Sequence, residues 1–265
     1  MSLARAVILG LVQGLTEFLP VSSSAHLIYF QKYLNINKPQ LSFTVFLHFA
    51  TLLAILLFFR KDLWEILKGF RSIKGAKTNP SSRIIFLLVI GSLPVAVLGI
   101  LLKDKIEPVF SNIILVSLFL ILTGILLYSG DRIRNAHKGI LETGIVNALI
   151  IGIAQAAAIL PGISRSGATI IFGLFCGLDR KWAVKYSFFL ALPAILGATL
   201  IELPGAFAMV NFSTLLFYIT GGVAALFSGY WSLTVVLRIV QKSRLRYFAY
   251  YCVILGIIML LFQIW

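Results

Sequence analysis

Six apolar runs, each of 17 residues or more, recur along this chain at 43–59, 84–102, 111–129, 186–203, 212–237 and 247–264. About 20 helical residues cross the hydrocarbon core of a bilayer, with a range of roughly 17–25. Lipid offers no partner for backbone N–H and C=O groups, so runs of this length satisfy those groups internally, as helices. Composition agrees: of 265 residues, 60% are hydrophobic and 12% charged, too apolar for the surface of a soluble protein of this length. The expected fold is an all-α polytopic membrane protein with six transmembrane helices.

Two further regions do not fit simple spans. Residues 3–38 are apolar but broken at FLPVSSSAH, and residues 143–178 are apolar but broken at LPGISRSGAT. Each gives an apolar helix, a polar Pro/Ser break and a second apolar helix. Unwound backbone is tolerated at membrane depth only where protein buries it or it lines a cavity. Both regions are therefore expected to be re-entrant helical hairpins. Two ordinary spans in each region give a similar topology; the polar break favours the hairpin.

Charge orients the spans. Residues 60–83 carry seven basic and two acidic residues, and 238–246 carry four basic and none acidic. Both belong on the cytoplasmic side. The linker 103–110 is neutral and 204–211 uncharged, which suits the outer side. The basic stretch 179–185 is cytoplasmic, and so is 130–142 at the inner end of span 111–129. Region 143–178 thus starts and ends on one side, and 3–38 enters from the other, with both termini outside. The formal charge of +14, from 23 Lys+Arg against 9 Asp+Glu, gathers between apolar runs. Anionic lipid headgroups explain it, and nucleic acid is not expected as a partner.

The two breaks repeat one another. GLVQGLTEFLPVSSSAH at 10–26 and GIAQAAAILPGISRSGAT at 152–169 each place Gln three residues after Gly, then Leu-Pro, then serines. Each hairpin precedes three spans, and the halves enter from opposite faces. That is an inverted-topology repeat within one membrane domain, residues 1–130 forming the first repeat and 143–265 the second. Cys176 and Cys252 stand apart in apolar context and are expected to be small buried hydrophobes. Arg5, an apolar stretch and SSSA imitate a secretory signal, but Glu17 and Pro20 interrupt it, so the segment is expected to be retained.

Two charges fall deep within the apolar regions, Glu17 and Arg165, and a lone intramembrane charge needs a partner, a cavity or a metal. A mutual salt bridge between the tips is one answer; a site using both charges is the other, favoured by the surrounding hydroxyls and histidine. Gln13 and Glu17 are four residues apart and share a helical face. Ser22 and His26 have the same spacing, and any of Ser22, Ser23 and Ser24 suits a helix cap. At the second tip Arg165, Ser166 and Thr169 share a face, with Ser164 a candidate cap. Two helix starts aimed at one cavity favour an anion. Arg165 adds a planar bidentate donor suited to phosphate. Glu17 repels an anion directly but makes sense holding a divalent cation, Mg or Ca, with Gln13 supplying a neutral oxygen. Together these residues describe a metal-assisted diphosphate site. His26 is a candidate general base, general acid or nucleophile. His48, inside a span, is expected to be a packed polar residue, and His137 a surface one.

The segments QGLTEFLPVSSSAH at 13–26 and PGISRSGAT at 161–169 carry a family resemblance. They match an E/Q-x-x-x-E motif and a P-G-x-S-R-S-x-x-T motif, and the chain resembles, over its whole length, the bacitracin-resistance family of undecaprenyl-diphosphate phosphatases. The resemblance implies hydrolysis of a long-chain prenyl diphosphate lipid to its monophosphate at the outer, periplasmic face of the bacterial cytoplasmic (inner) membrane. It implies recycling of the lipid carrier for peptidoglycan and resistance to bacitracin, which captures the diphosphate. It maps the acidic motif onto Gln13 and Glu17, a serine-histidine element onto Ser23 and His26, and the arginine motif onto Ser164, Arg165, Ser166 and Thr169. Gln13 is the amide variant of a position often occupied by glutamate, which leaves Glu17 the principal metal ligand. Glu17, Ser23, His26 and Arg165 are thus the expected catalytic set, with Ser22, Ser24, Ser164, Ser166 and Thr169 binding substrate. Homodimerisation is left open. The competing expectation is a transporter or flippase for an anionic or phospho-lipid substrate, since inverted repeats with broken helices are common there. The set Glu17, Ser23 and His26 separates the two, because hydrolysis needs metal and proton handling and phosphate transport does not.

Overall fold

The structure, a computed structural model, describes residues 2–36, 41–69, 79–207 and 212–264. Within these residues lie twelve α-helices. The first broken region gives α1 (Leu3–Phe18) and α2 (Ser23–Tyr33); α3 (Leu41–Phe58), α4 (Arg60–Gly69), α5 (Pro80–Leu101), α6 (Lys103–Ser111) and α7 (Ile113–Asp131) follow. The second broken region gives α8 (Ile145–Ala157) and α9 (Arg165–Phe175), followed by α10 (Arg180–Phe207), α11 (Phe212–Gln241) and α12 (Arg246–Ile264). Parts of two expected linkers, 70–78 and 208–211, lie outside the described residues, as does the end of the first broken region at 37–38.

Each of the six apolar runs falls on one helix, α3, α5, α7, α10, α11 or α12, to within a few residues. Among the described residues four helices are long and apolar enough to cross a bilayer unaided: α5, α7, Arg180–Ile201 of α10 and Leu215–Gln241 of α11. A fifth span results if α3 and α4, which meet at a 76° bend, count as one. Polar residues at the run ends set the boundaries. Asn79 accepts from the Ser81 amide at 2.9 Å, with Pro80 opening α5, and Asn112 accepts from Leu115 at 3.1 Å to open α7. The stretches 60–69 and 103–111 are helical, where the charge pattern alone gave linkers. Trp64 and Leu67 of α4 are exposed beside Lys68, as in a helix lying along a membrane surface.

Apolar side chains fill the interior, as Phe18, Leu120 and Phe188 do, and also cover the outer surface. Ile100, Leu200 and Phe227 are 60–70% exposed, whereas Gln13, Gln155, Ser187 and Ser232 are almost wholly buried. Many apolar side chains thus face outward, and these polar groups lie where helices meet. Glycine permits the closest crossings. A Cβ at Gly10 of α1 would collide with the Gly221 carbonyl of α11, and one at Gly152 of α8 with the Gly91 carbonyl of α5. The two Gly-x-x-Gln segments therefore make corresponding contacts on different partners. The packing follows the same correspondence, every pair joining one half to the other: α1 on α11 and α8 on α5, α3 on α11 and α10 on α5, α3 on α10, and α7 on α12.

One end of the molecule is tied by the linker between α7 and α8. His137 and Lys138 amides donate to Gly177, the Asp179 amide donates to Lys138, and Lys138 pairs with Leu178 in an isolated parallel bridge. Arg83 donates to the Thr143 carbonyl at 2.6 Å, and Trp182 to its hydroxyl at 2.9 Å. Arg180 donates to Ile133 at 2.8 Å, and the Leu245 amide to Asp131 at 2.8 Å. The start of α8 and the end of α9 thus lie beside each other at this end. Both cysteines are free, Cys252 buried and Cys176 half-buried.

Candidate functional site

Glu17 sits in the last turn of α1, and the chain then breaks at Leu19–Pro20–Val21. Ser22 turns the chain with φ 65 and ψ 91, and its Oγ accepts from the Ala25 amide, capping α2. A non-glycine residue in this region is costly and persists where its surroundings hold it. Here the holder is His26: its Nδ1 lies 2.8 Å from the Ser22 carbonyl. A carbonyl only accepts, so Nδ1 carries the proton. The second tip turns at Gly162, φ 101, and Ser164 caps α9 by accepting from Gly167 at 3.1 Å, as its position before Arg165 predicts. Thr123 of α7 braces this tip, donating to the Gly162 carbonyl at 2.9 Å and accepting from the Ser164 amide at 3.1 Å.

The tips meet through three polar links. Arg165 Nη2 donates to Glu17 Oε1 at 2.6 Å. Ser166 Oγ donates to the Leu19 carbonyl at 3.2 Å, and the Gly162 amide donates to Ser24 Oγ at 3.3 Å. The salt bridge expected between Glu17 and Arg165 is present, and it is not the whole arrangement. Glu17 Oε2 accepts from Ser23 Oγ at 2.6 Å and from Gln13 Nε2 at 3.0 Å. The pitch of four residues puts Gln13 on the carboxylate face as expected. Two polar atoms here are buried without a partner in the described residues, Gln13 Oε1 and Arg165 Nη1. Unsatisfied buried groups of this kind ask for a water, an ion or a ligand.

The remaining expected residues fall around this centre. Ser22 and Ser24 hydroxyls contact each other at 3.1 Å, and Ser164 and Ser166 do so at 3.3 Å. Thr169 lies one turn along α9, within 2.8 Å of the Arg165 carbonyl and 2.6 Å of Ser187 Oγ on α10. His26 Nε2 faces the Tyr251 hydroxyl of α12 at 2.7 Å, with the rings nearly parallel, centroids 5.7 Å apart. Among the described residues the hydrogen-bond partners of His26 are therefore Ser22 and Tyr251. One expectation is corrected: His48 is not merely a packed polar residue. Its Nε2 stands 3.6 Å from Glu17 Oε2, and its side chain is 30% exposed. The missed neighbours Thr123, Ser187 and His48 share one signal, a polar side chain inside an apolar run. Tyr251 carried no such signal, because its surroundings YFAYY look like aromatic residues of a membrane interface.

Fold and site together define a multi-pass helical membrane protein with a charge-paired, hydroxyl-rich cluster where two helix starts meet. The chain matches the family model for bacitracin resistance protein BacA over residues 6–258, and it belongs to that family. Among its relatives are proteins named undecaprenyl-diphosphatase. That of Halothermothrix orenii is 42% identical over 262 residues, covering 98% of each chain. That of Methanobrevibacter smithii is 40% identical over 269 residues, covering 97% of this chain and 96% of its own. That of Desulfosudis oleivorans is 43% identical over 265 residues, covering 95% of each.

Proposed function

We propose that this protein hydrolyses undecaprenyl diphosphate to undecaprenyl phosphate and inorganic phosphate, recycling the lipid carrier of cell-wall synthesis. Lowering the diphosphate removes the species that bacitracin captures, which accounts for resistance. Relatives at about 40% identity over nearly the full chain carry the name of this activity. The observation that carries the reading is Glu17, whose two carboxylate oxygens each stand 2.6 Å from a group the reaction needs, the Arg165 guanidinium and the Ser23 hydroxyl.

Arg165 holds the terminal phosphate through Nη1, the buried donor with no partner among the described residues. Ser23 Oγ attacks the terminal phosphorus. The bond from that phosphorus to the bridging oxygen breaks, and undecaprenyl phosphate leaves. The hydroxyl proton passes to Glu17, towards which it already points. Water then attacks the phosphorus of the phosphoserine, the bond from phosphorus to Ser23 Oγ breaks, and Glu17 returns its proton to Oγ, so that inorganic phosphate leaves carrying the water oxygen and both residues are restored. Ser164, Ser166 and the α9 amides surround the phosphate oxygens at a helix start, and Thr169 fixes the first turn of α9. His26 positions Ser23 by holding the Ser22 turn from which Ser23 projects.

A divalent cation fits this pocket. Gln13 Oε1 is a buried oxygen without a partner, one helical turn from the Glu17 carboxylate. Mg²⁺ or Ca²⁺ bound through one or two protein oxygens takes its remaining ligands from water and phosphate. When bound, the ion supplies positive charge against the phosphate oxygens.

We further propose six spans and two re-entrant hairpins in an inverted repeat, with the pocket open to the outer face of the cytoplasmic membrane. At 1.5 Å per residue α1, α2, α8 and α9 are about 24, 17, 20 and 17 Å long, each short of a bilayer core of about 30 Å. The two ends of 143–178 share the linker 137–138 as a hydrogen-bond partner or neighbour, at the end rich in basic residues. The corresponding glycine crossings support the repeat.

The experiment is phosphate release by the purified full chain in detergent, from a long-chain prenyl diphosphate with added Mg²⁺ or Ca²⁺. Release is expected, and a chelator is expected to stop it. No release with either cation would turn the assignment to transport of a phospho-lipid.

A further inference from the structure

We propose that His48 of α3 is a protein ligand of the divalent cation, through Nε2, alongside Glu17 and Gln13. This rests on the reading of Glu17 as a cation ligand given above. His48 Nδ1 lies 2.9 Å from the Thr44 carbonyl. Because a carbonyl only accepts, Nδ1 holds a hydrogen and Nε2 is the nitrogen left for a ligand. An N–H donated to a backbone carbonyl is the usual support of a metal-binding imidazole, fixing its tautomer and ring orientation. The free nitrogen is aimed at the central carboxylate: His48 Nε2 and Glu17 Oε2 are 3.6 Å apart. That is too long for a hydrogen bond. Two atoms sharing one ion at about 2.1 Å each stand no more than about 4.2 Å apart, and this pair lies inside that limit.

Gln13 supplies the independent observation. Its Nε2 donates to the same carboxylate oxygen, while Oε1 is buried and unpartnered. A half-turn of the amide exchanges these two atoms and presents an oxygen where the carboxylate now receives an N–H. With the amide so turned, α1 and α3 offer one carboxylate oxygen, one amide oxygen beside it and one imidazole nitrogen 3.6 Å from it. The half-exposed side of the His48 ring leaves open positions for phosphate and water. Mn²⁺ takes carboxylate, carbonyl and water oxygens as Mg²⁺ and Ca²⁺ do, which makes it a paramagnetic probe for this set.

The test uses Mn²⁺ as probe on the full chain in detergent, without substrate, read by pulsed electron paramagnetic resonance and by Mn²⁺ titration. The wild-type protein is expected to show echo modulation from an imidazole nitrogen. His48→Gln is expected to lose that modulation and to bind Mn²⁺ at least about 10-fold more weakly, while His137→Gln, in the linker between α7 and α8, keeps both. Modulation that persists in His48→Gln, or Mn²⁺ bound to the wild type without it, would overturn the assignment of His48. If Mn²⁺ fails to bind, or binds equally well to Glu17→Gln, the cation reading of Glu17 falls and His48 falls with it.

Discussion

Arg165→Ala is expected to lower turnover of the prenyl diphosphate by about 10³-fold or more, and Glu17→Ala by a similar factor. The guanidinium has two duties, one Nη atom on Glu17 and the other, without a partner among the described residues, on phosphate, so Arg165→Lys should not restore activity. Lysine can pair with the carboxylate but has no planar fork to hold a phosphate at the same time. The two charges also depend on each other. Their side chains are only 15% and 6% exposed, and removing one partner of such a pair leaves the other buried and uncompensated, at a cost of about 3–5 kcal/mol. Arg165→Ala and Glu17→Ala should therefore melt earlier as well as turn over more slowly. Steady-state kinetics beside a thermal melt in detergent checks both effects. Turnover within 10-fold of wild type in Arg165→Ala would remove it from the reaction.

Ser23→Ala is expected to lose about 10³-fold or more in turnover, with substrate binding little changed, because the attacking oxygen is gone and Arg165 remains. Its neighbours give the contrast. Ser22 caps α2, Ser24 accepts from Gly162, and the two hydroxyls contact each other, so alanine at either removes two local hydrogen bonds, of about 0.5–2 kcal/mol each. Ser22→Ala and Ser24→Ala should keep turnover within about 10-fold of wild type. The comparison is kcat of the three variants on one substrate. Equal losses in all three would make the serines a structural cluster and leave attack to water.

Much of this architecture was legible from residue spacing. The six apolar runs mark six helices because lipid forces the backbone to pair with itself. Gln13 and Glu17 share a face because the helix pitch is 3.6 residues. Glu17 and Arg165 stood out because an intramembrane charge is costly without a partner, and each turns out to be the other's partner. The paired Gly-x-x-Gln and Leu-Pro segments announced that two tips exist, though not how they touch. The helices α4 and α6 were hidden by their charge: a helix along a membrane surface and a solvated linker can share a composition. His48 was hidden by its place in a run that satisfies every criterion of a span, since a one-dimensional pattern does not tell which side of α3 faces Glu17. Tyr251 reaches His26 across 225 positions of sequence, and only the packing of α12 brings it there.

A disulfide between the tips puts their meeting to direct test. A Cβ at Gly167 lies 3.4 Å from Pro20 Cβ, close to the Cβ separation of about 3.5–4.5 Å that a disulfide spans. Pro20→Cys combined with Gly167→Cys, in a chain also carrying Cys176→Ser and Cys252→Ala, should close under mild oxidation within one molecule. Mass spectrometry of the digested protein should then find the two tip peptides joined, and reductant should separate them. Thiols that stay free, or that link only between molecules, would show that the two tips do not share a pocket.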